Sequence, residues 1–219
     1  MTLIFCLIFI LNISVSLNFK ASIMNKQKSP PVLKIYGESL CPDTLKFISN
    51  EIKSIYNNKS KSNLISNIDI IMFGNAQENS DSNKNNRKYT CQHGDKECKG
   101  NKMWTCAKQY LEQNNFIMYS ICLSDILLTK LKVDIDFVKE STNCISDNSK
   151  LKSILNCYNN NEGDEIVHEE ALKTKQHDGV PYIFLDDIHN DEIQKGITAD
   201  AVSYLCIISN NINKLEGCK

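Results

Sequence analysis

Residues 91–106 read Cys91-Gln92-His93-Gly94-Asp95-Lys96-Glu97-Cys98-Lys99-Gly100-Asn101-Lys102-Met103-Trp104-Thr105-Cys106. Three cysteines, a histidine and two glycines within sixteen residues are too specific a grouping to arise from composition. Two chemistries can use such a set. Cys91, His93, Cys98 and Cys106 could ligate zinc, but structural zinc sites favour two tight ligand pairs, and these spacings lack them. The other use is disulfide bonding, which needs an oxidising compartment.

The chain's start supplies one. Leu3 to Leu11 is an unbroken apolar run followed by Ser14-Val15-Ser16, the small residues of an export-signal cleavage site. The run is too short to span a bilayer. No cation precedes it, so an uncleaved anchor stays open beside the preferred reading, cleavage near Ser16 or Leu17. Residues 1–16 are therefore assigned as signal peptide and 17–31, polar and closed by Pro30-Pro31, as a flexible leader. Residues 32–219 are the folded domain, a length suited to one core. The formal charge of −1 gives no footprint for nucleic acid or for an anionic membrane, and no stable membrane insertion is expected.

Losing the signal removes Cys6 and leaves nine of the ten cysteines, at 41, 91, 98, 106, 122, 144, 157, 206 and 218. An odd count in an exported chain implies a free thiol or an intermolecular bond. If Cys41 is the odd one, eight remain for four bridges, with about a hundred connectivities open. Closeness in sequence suggests Cys144 with Cys157 and Cys206 with Cys218.

Along the domain, Val32 to Tyr36 alternates like a first strand ending at Gly37, and a helix from Asp43 to about Asn57 follows, with Leu45, Ile48, Ile52 and Ile55 as its core face. Cys41 then sits at that helix's N-terminus, where unpaired amides would stabilise a thiolate. Ile68 to Phe73 is a buried strand parallel to the first. Residues 78–88, rich in asparagine and charge, form an exposed loop. Helical spacing runs from Trp104 to about Leu131, and a further helical stretch spans 134–158. Val180-Pro181 leads a strand to Leu185, and a closing helix runs from about Ala199 to Asn210. His168, His177 and His189 lie in polar surroundings and read as surface residues. Asn58-Lys59-Ser60 is a glycosylation sequon late in or just past the first helix.

Read as C-Q-H-G-x2-E-C-x2-N-x4-C, residues 91–106 fill every fixed position of a family signature, so the chain resembles the gamma-interferon-inducible lysosomal thiol reductases. Gly74-Asn75-Ala76-Gln77-Glu78, the proline loop and the terminal pair Cys206 and Cys218 extend the resemblance over about 32–218. It implies an α/β, thioredoxin-like fold with a helical, disulfide-rich insertion. It also implies an exported thiol–disulfide oxidoreductase for protein disulfides, in the secretory pathway, in a lysosome-like vesicle or outside the cell. The signature's Cys91, Gln92, His93, Gly94, Glu97, Cys98, Asn101 and Cys106 then count as architecture rather than catalysis, although His93 invites a general-base role. Cys122, Cys144, Cys157, Cys206 and Cys218 count as bridge-formers. Pro181 is expected to be cis and to face Cys41.

One position departs from the family. Its redox motif is Cys-x-x-Cys, and here it reads Cys41-Pro42-Asp43-Thr44. Thr44 cannot attack a mixed disulfide. Its hydroxyl can donate a hydrogen bond to the Cys41 thiolate, with glutathione or free cysteine as external reductant and no bound cofactor. An intermolecular disulfide through Cys41 is open on this reading. The competing function is a catalytically silent, disulfide-stapled binding or regulatory protein.

Overall fold

The computed structural model describes residues 29–56, 64–81, 83, 86–131, 134–210 and 218. The signal assigned to 1–16, most of the 17–31 leader and the Asn58 sequon lie outside the described residues.

The centre is a three-stranded sheet whose first strand lies in the middle. Strand β1 (Val32–Gly37) pairs in parallel with β2 (Asn67–Met72) and antiparallel with β5 (Tyr182–Leu185). The period-two alternation of a strand sends side chains to opposite faces. Leu33, Ile35, Ile70, Met72, Ile183 and Leu185 enter the main core, while Tyr36, Ile71 and Phe73 enter a second, smaller one. Between β1 and β2 runs a helix in three segments: α1 (Pro42–Phe47), a π turn over Ile48–Ile52 and α2 (Lys53–Tyr56). Leu45, Ile48, Ile52 and Ile55 are buried, as their spacing predicts. Pro42 at the first helical position has no amide hydrogen to leave unpaired there.

The asparagine-rich loop is more ordered at its base than its composition suggests. Strands β3 (Gln77–Glu78) and β4 (Tyr89–Thr90) close it as a short hairpin. Arg87 ties it down, reaching Glu78 at 2.8 Å and Glu165 at 3.1 Å.

The helical insertion departs from the expected boundaries. The stretch expected from Trp104 to Leu131 is two helices, α3 (Asp95–Tyr110) and α4 (Gln113–Leu128), broken where Leu111 and Glu112 are extended. No glycine or proline marks that break, and the apolar stripe resumes beyond it, so spacing alone reads through. Residues 134–158 likewise divide into α5 (Phe137–Cys144) and α6 (Asn148–Asn159). Each starts at an aspartate: Asp136 accepts from the Val138 and Lys139 amides, and Asp147 from those of Ser149 and Lys150. A further helix, α7 (Asn161–Lys173), was not expected. It covers the second core with Val167 and Ala171, and its buried Glu170 pairs with Lys108 and Lys173. Its buried stripe is too narrow and polar to register as periodicity.

The closing helix α8 (Asp191–Asn210) begins earlier than Ala199 and is interrupted at Asp200, whose backbone is extended. Asp200 accepts from the Ser203 amide at 2.9 Å and so starts the second half, the part the sequence made visible.

Four disulfides link these elements: Cys91–Cys98, Cys106–Cys157, Cys122–Cys144 and Cys206–Cys218. The pairing expected between Cys144 and Cys157 is corrected. Because the chain turns between α5 and α6, Cys144 meets α4 through Cys122 and Cys157 meets α3 through Cys106. No helix among the described residues is long and apolar enough to cross a membrane.

Candidate functional site

Among the described residues the one free cysteine is Cys41. It occupies the N-cap of α1, with its backbone extended and its carbonyl accepting the Leu45 amide at 3.0 Å. Its Sγ lies 3.6 Å from the Val180 carbonyl oxygen, and the Val180–Pro181 bond is cis. The antiparallel pairing of β5 with β1 places this loop there, since Tyr182 stands opposite Tyr36 just before the chain reaches Cys41. Cys41 is 8 % exposed. A groove lies along the 178–182 loop, with Asp43, Phe47, Val180, Pro181, Tyr182 and His189 among its walls; Cys41 is not one of them and adjoins it through the Val180 carbonyl.

Thr44 is fully buried three residues into the helix. Its Oγ1 faces the Glu38 amide, which donates to it at 3.4 Å. The expected hydrogen bond to the Cys41 sulfur is not among the contacts of these residues; the sulfur's partner is the Val180 carbonyl.

The signature segment acts on the loop that precedes Cys41. Asn101 Oδ1 accepts the Ser39 amide at 2.9 Å, and the Ser39 hydroxyl donates to the Glu97 carbonyl at 3.0 Å. Helix α3 can come this close because residue 100 is glycine: a Cβ there would stand 2.3 Å from Ser39 Oγ and 2.5 Å from the Phe137 ring. Gly94 caps α3, and Glu97, three positions on, reaches back so that its Oε1 accepts the His93 amide at 3.0 Å. Gln92 Oε1 accepts from the Asn75 side chain at 2.7 Å. Cys91 and Cys98 bridge across the start of α3, and Cys106 is bridged to α6, so these cysteines cannot join His93 in a four-ligand zinc set.

Glu38 is the residue that sequence reasoning missed. It lies three positions before Cys41, its carbonyl accepting the Cys41 amide at 3.3 Å, and its side chain is fully buried. Gly74, at φ +55°, turns the following loop so that the Asn75 amide donates to Glu38 Oε1 at 2.6 Å. Burial raises the Glu38 carboxyl above the ordinary carboxylate value, and the Asn75 amide only partly opposes this. His93 joins it: Nδ1 is 2.5 Å from Glu97 Oε2 and 3.6 Å from Glu38 Oε2. The sole sequence signal for Glu38 was its place in Gly37-Glu38-Ser39-Leu40 between the first strand and Cys41.

The remaining histidines are not the plain surface residues expected. Each is half-buried and partnered: His168 with Glu78 at 2.7 Å, His189 stacked on Tyr182, and His177 edge-on to Tyr36.

A mixed helix–strand domain braced by four disulfides, with its unpaired thiol held at a helix start, defines a thiol-bearing, disulfide-stabilised α/β protein. Residues 32–148, just over half the chain, match the family model described as gamma interferon inducible lysosomal thiol reductase (GILT), and the chain belongs to that family. It is similar to the gamma-interferon-inducible lysosomal thiol reductase of Carassius auratus, 29 % identical over 84 % of this chain and 70 % of that one. The gamma-interferon-responsive lysosomal thiol protein of Arabidopsis thaliana is 29 % identical over 87 % of this chain and 76 % of its own. GILT-like protein 1 of Drosophila melanogaster is 25 % identical over 80 % and 73 %.

Proposed function

We propose that this chain is an exported thiol–disulfide oxidoreductase that acts on protein disulfides through the single nucleophile Cys41. Its domain, 32–219, is read as thioredoxin-like, following a cleaved signal at 1–16 and a leader at 17–31. The parallel β1–helix–β2 unit and the antiparallel β5 led in by Pro181 support that reading. The observation that carries the function is that Cys41, alone among the described cysteines, is left out of a disulfide, at a helix start beside the Val180–Pro181 loop.

The chemistry follows from one thiol. The Cys41 thiolate attacks one sulfur of the substrate disulfide; that S–S bond breaks, a Cys41–substrate bond forms, and the departing sulfur leaves as a thiolate that takes a proton from solvent. An external thiolate, glutathione or cysteine, then attacks the mixed disulfide at the substrate sulfur and frees Cys41. A second external thiol attacks that adduct, releasing the reduced substrate and one external disulfide. Two external thiols thus supply the two electrons. Pro181, which follows the Val180 carbonyl beside the Cys41 sulfur, is assigned to border the substrate's sulfur, and Thr44 to support the loop before Cys41 through the Glu38 amide. No cofactor need be bound. The names of the relatives support a secretory destination, in a lysosome-like vesicle or outside the cell.

One observation favours the opposing reading, a silent binding protein: Cys41 is 8 % exposed. Trapping separates the two. With no second thiol to release it, the wild-type chain incubated with a disulfide-bonded peptide and no external thiol should accumulate a covalent adduct on Cys41. The Cys41→Ser variant should form none. A folded wild-type chain that forms no adduct would leave the binding protein as the better account.

A further inference from the structure

Glu38 and Glu97 are both fully buried, and their carboxylates converge on one imidazole. Glu38 Oε1 is satisfied by the Asn75 amide, but Oε2 is buried with no hydrogen-bond partner. One oxygen from each carboxylate and a ring nitrogen of His93 lie within 4.8 Å of one another. A buried carboxylate oxygen without a partner costs free energy, and an orphan of this kind calls for an ion, a water or a proton. Here the orphan points at the other two groups, 3.6 Å from His93 Nδ1.

We propose that Glu38, His93 and Glu97 bind one divalent cation of the Zn²⁺ class, with a water from solvent as the remaining ligand. Two carboxylate oxygens and one imidazole nitrogen suit a borderline ion; Ca²⁺ takes six or more oxygens and Mg²⁺ a near-octahedral oxygen shell that this set does not provide. The ion's charge cancels those of the two carboxylates. The ligands are held from behind, Glu38 by the Asn75 amide and Glu97 by the His93 amide, the outer-shell support that metal ligands need. The His93 side chain is 37 % exposed, which leaves the open position in reach of water. Because the Glu38 carbonyl accepts the Cys41 amide, the ion would pin the loop before the thiol to the start of the signature helix. The site does not depend on the thiol chemistry.

The test uses the signal-free chain carrying Cys41→Ser, so that no thiolate competes for the ion. Zn²⁺ is titrated calorimetrically against a chelator of known affinity, and Co²⁺ is followed by its visible absorption as a geometric probe. Expected is one ion per chain, with Glu38→Gln in the same background, folded by its Trp104 fluorescence, binding at least about a hundredfold more weakly. Gln preserves the Asn75 contact but presents an amide where Oε2 would ligate. His93→Asn, at a partly exposed position, should show the same loss and decides the matter if Glu38→Gln does not fold. A folded parent that takes up no Zn²⁺, or one whose affinity is unchanged in the folded variants, overturns the proposal.

Discussion

Thr44→Cys should turn the single-thiol protein into a two-thiol one. Residue 44 lies three positions after the N-cap, where helical geometry sets the Cα atoms about 5 Å apart, within the range a disulfide spans. Thr44 is fully buried, and its hydroxyl accepts the Glu38 amide. Replacement removes one buried methyl and exchanges that acceptor for a weak sulfur one, together costing about 1–2 kcal/mol. A domain braced by four disulfides can absorb this. The kinetic effect is larger. A thiol on a loose tether has an effective concentration of about a millimolar, whereas fixed groups reach about 10⁵ M or more. Position 44 is fixed in a helix, so against about 1 mM external thiol the release of reduced substrate should speed up at least about tenfold. The assay is reduction of a fluorogenic disulfide peptide at several glutathione concentrations. In a single turnover of the pre-reduced protein, release should scale with glutathione in the wild type and be nearly independent of it in the variant, whose new Cys41 disulfide needs glutathione only for the next turnover. A variant whose new thiol at position 44 forms a disulfide with Cys41, shown by mass spectrometry, yet keeps the wild-type rate and glutathione dependence would refute the reasoning.

Removing the Cys106–Cys157 bridge, which closes a separation of 51 residues, should cost about 4 kcal/mol, against about 2.5 kcal/mol for Cys91–Cys98 at a separation of 7. Guanidinium unfolding of the two double-alanine variants, followed by Trp104, should rank them in that order. Gly100→Ala forces a Cβ against Ser39 and the Phe137 ring and should destabilise by about 1–3 kcal/mol; the same variant should alkylate faster at Cys41 because the Ser39 anchor is displaced. Glu78 provides a pH prediction. Burial alone would raise its carboxyl, but hydrogen bonds from His168 and Arg87 outweigh burial and hold it below the ordinary value. A depressed folded-state value means stability that is present above the unfolded value and lost as pH falls through the folded one. Glu78→Gln should thus cost about 1 kcal/mol at neutral pH, and in urea titrations the deficit should shrink as the pH falls through the depressed folded-state value and vanish once the carboxyl is protonated in both states; a deficit that persists in that fully protonated range would contradict the assignment.

The three main strands and the helix after Cys41 were legible because their apolar residues sit at period two and at helical spacing with little interference. The insertion was less so. Its breaks, at Leu111–Glu112 and between Cys144 and Asn148, depend on extended backbone and aspartate caps rather than on glycine or proline, and α7 buries too narrow a stripe to stand out. The disulfide pairing followed those breaks: Cys206–Cys218 was readable from closeness in the chain, whereas Cys106–Cys157 and Cys122–Cys144 join helices whose ends the sequence did not place. Asn101 was visible as a signature residue, but not as the group that holds Ser39 beside the thiol. Glu38 had only its place between the first strand and Cys41 as a signal, because a single glutamate ahead of a cysteine looks like any solvated charge until Gly74, Asn75 and His93 close around it.

The proposed activity requires Cys41 to be a working nucleophile. The direct test is brief alkylation of the folded, signal-free protein with every label mapped by mass spectrometry, run beside insulin reduction, with glutathione as the external reductant, by the wild type and by Cys41→Ser. Expected is label on Cys41 alone, with insulin reduction present in the wild type and lost in the serine variant. A Cys41 that stays unlabelled in the folded chain, or a serine variant that reduces insulin as fast as the wild type, would contradict it.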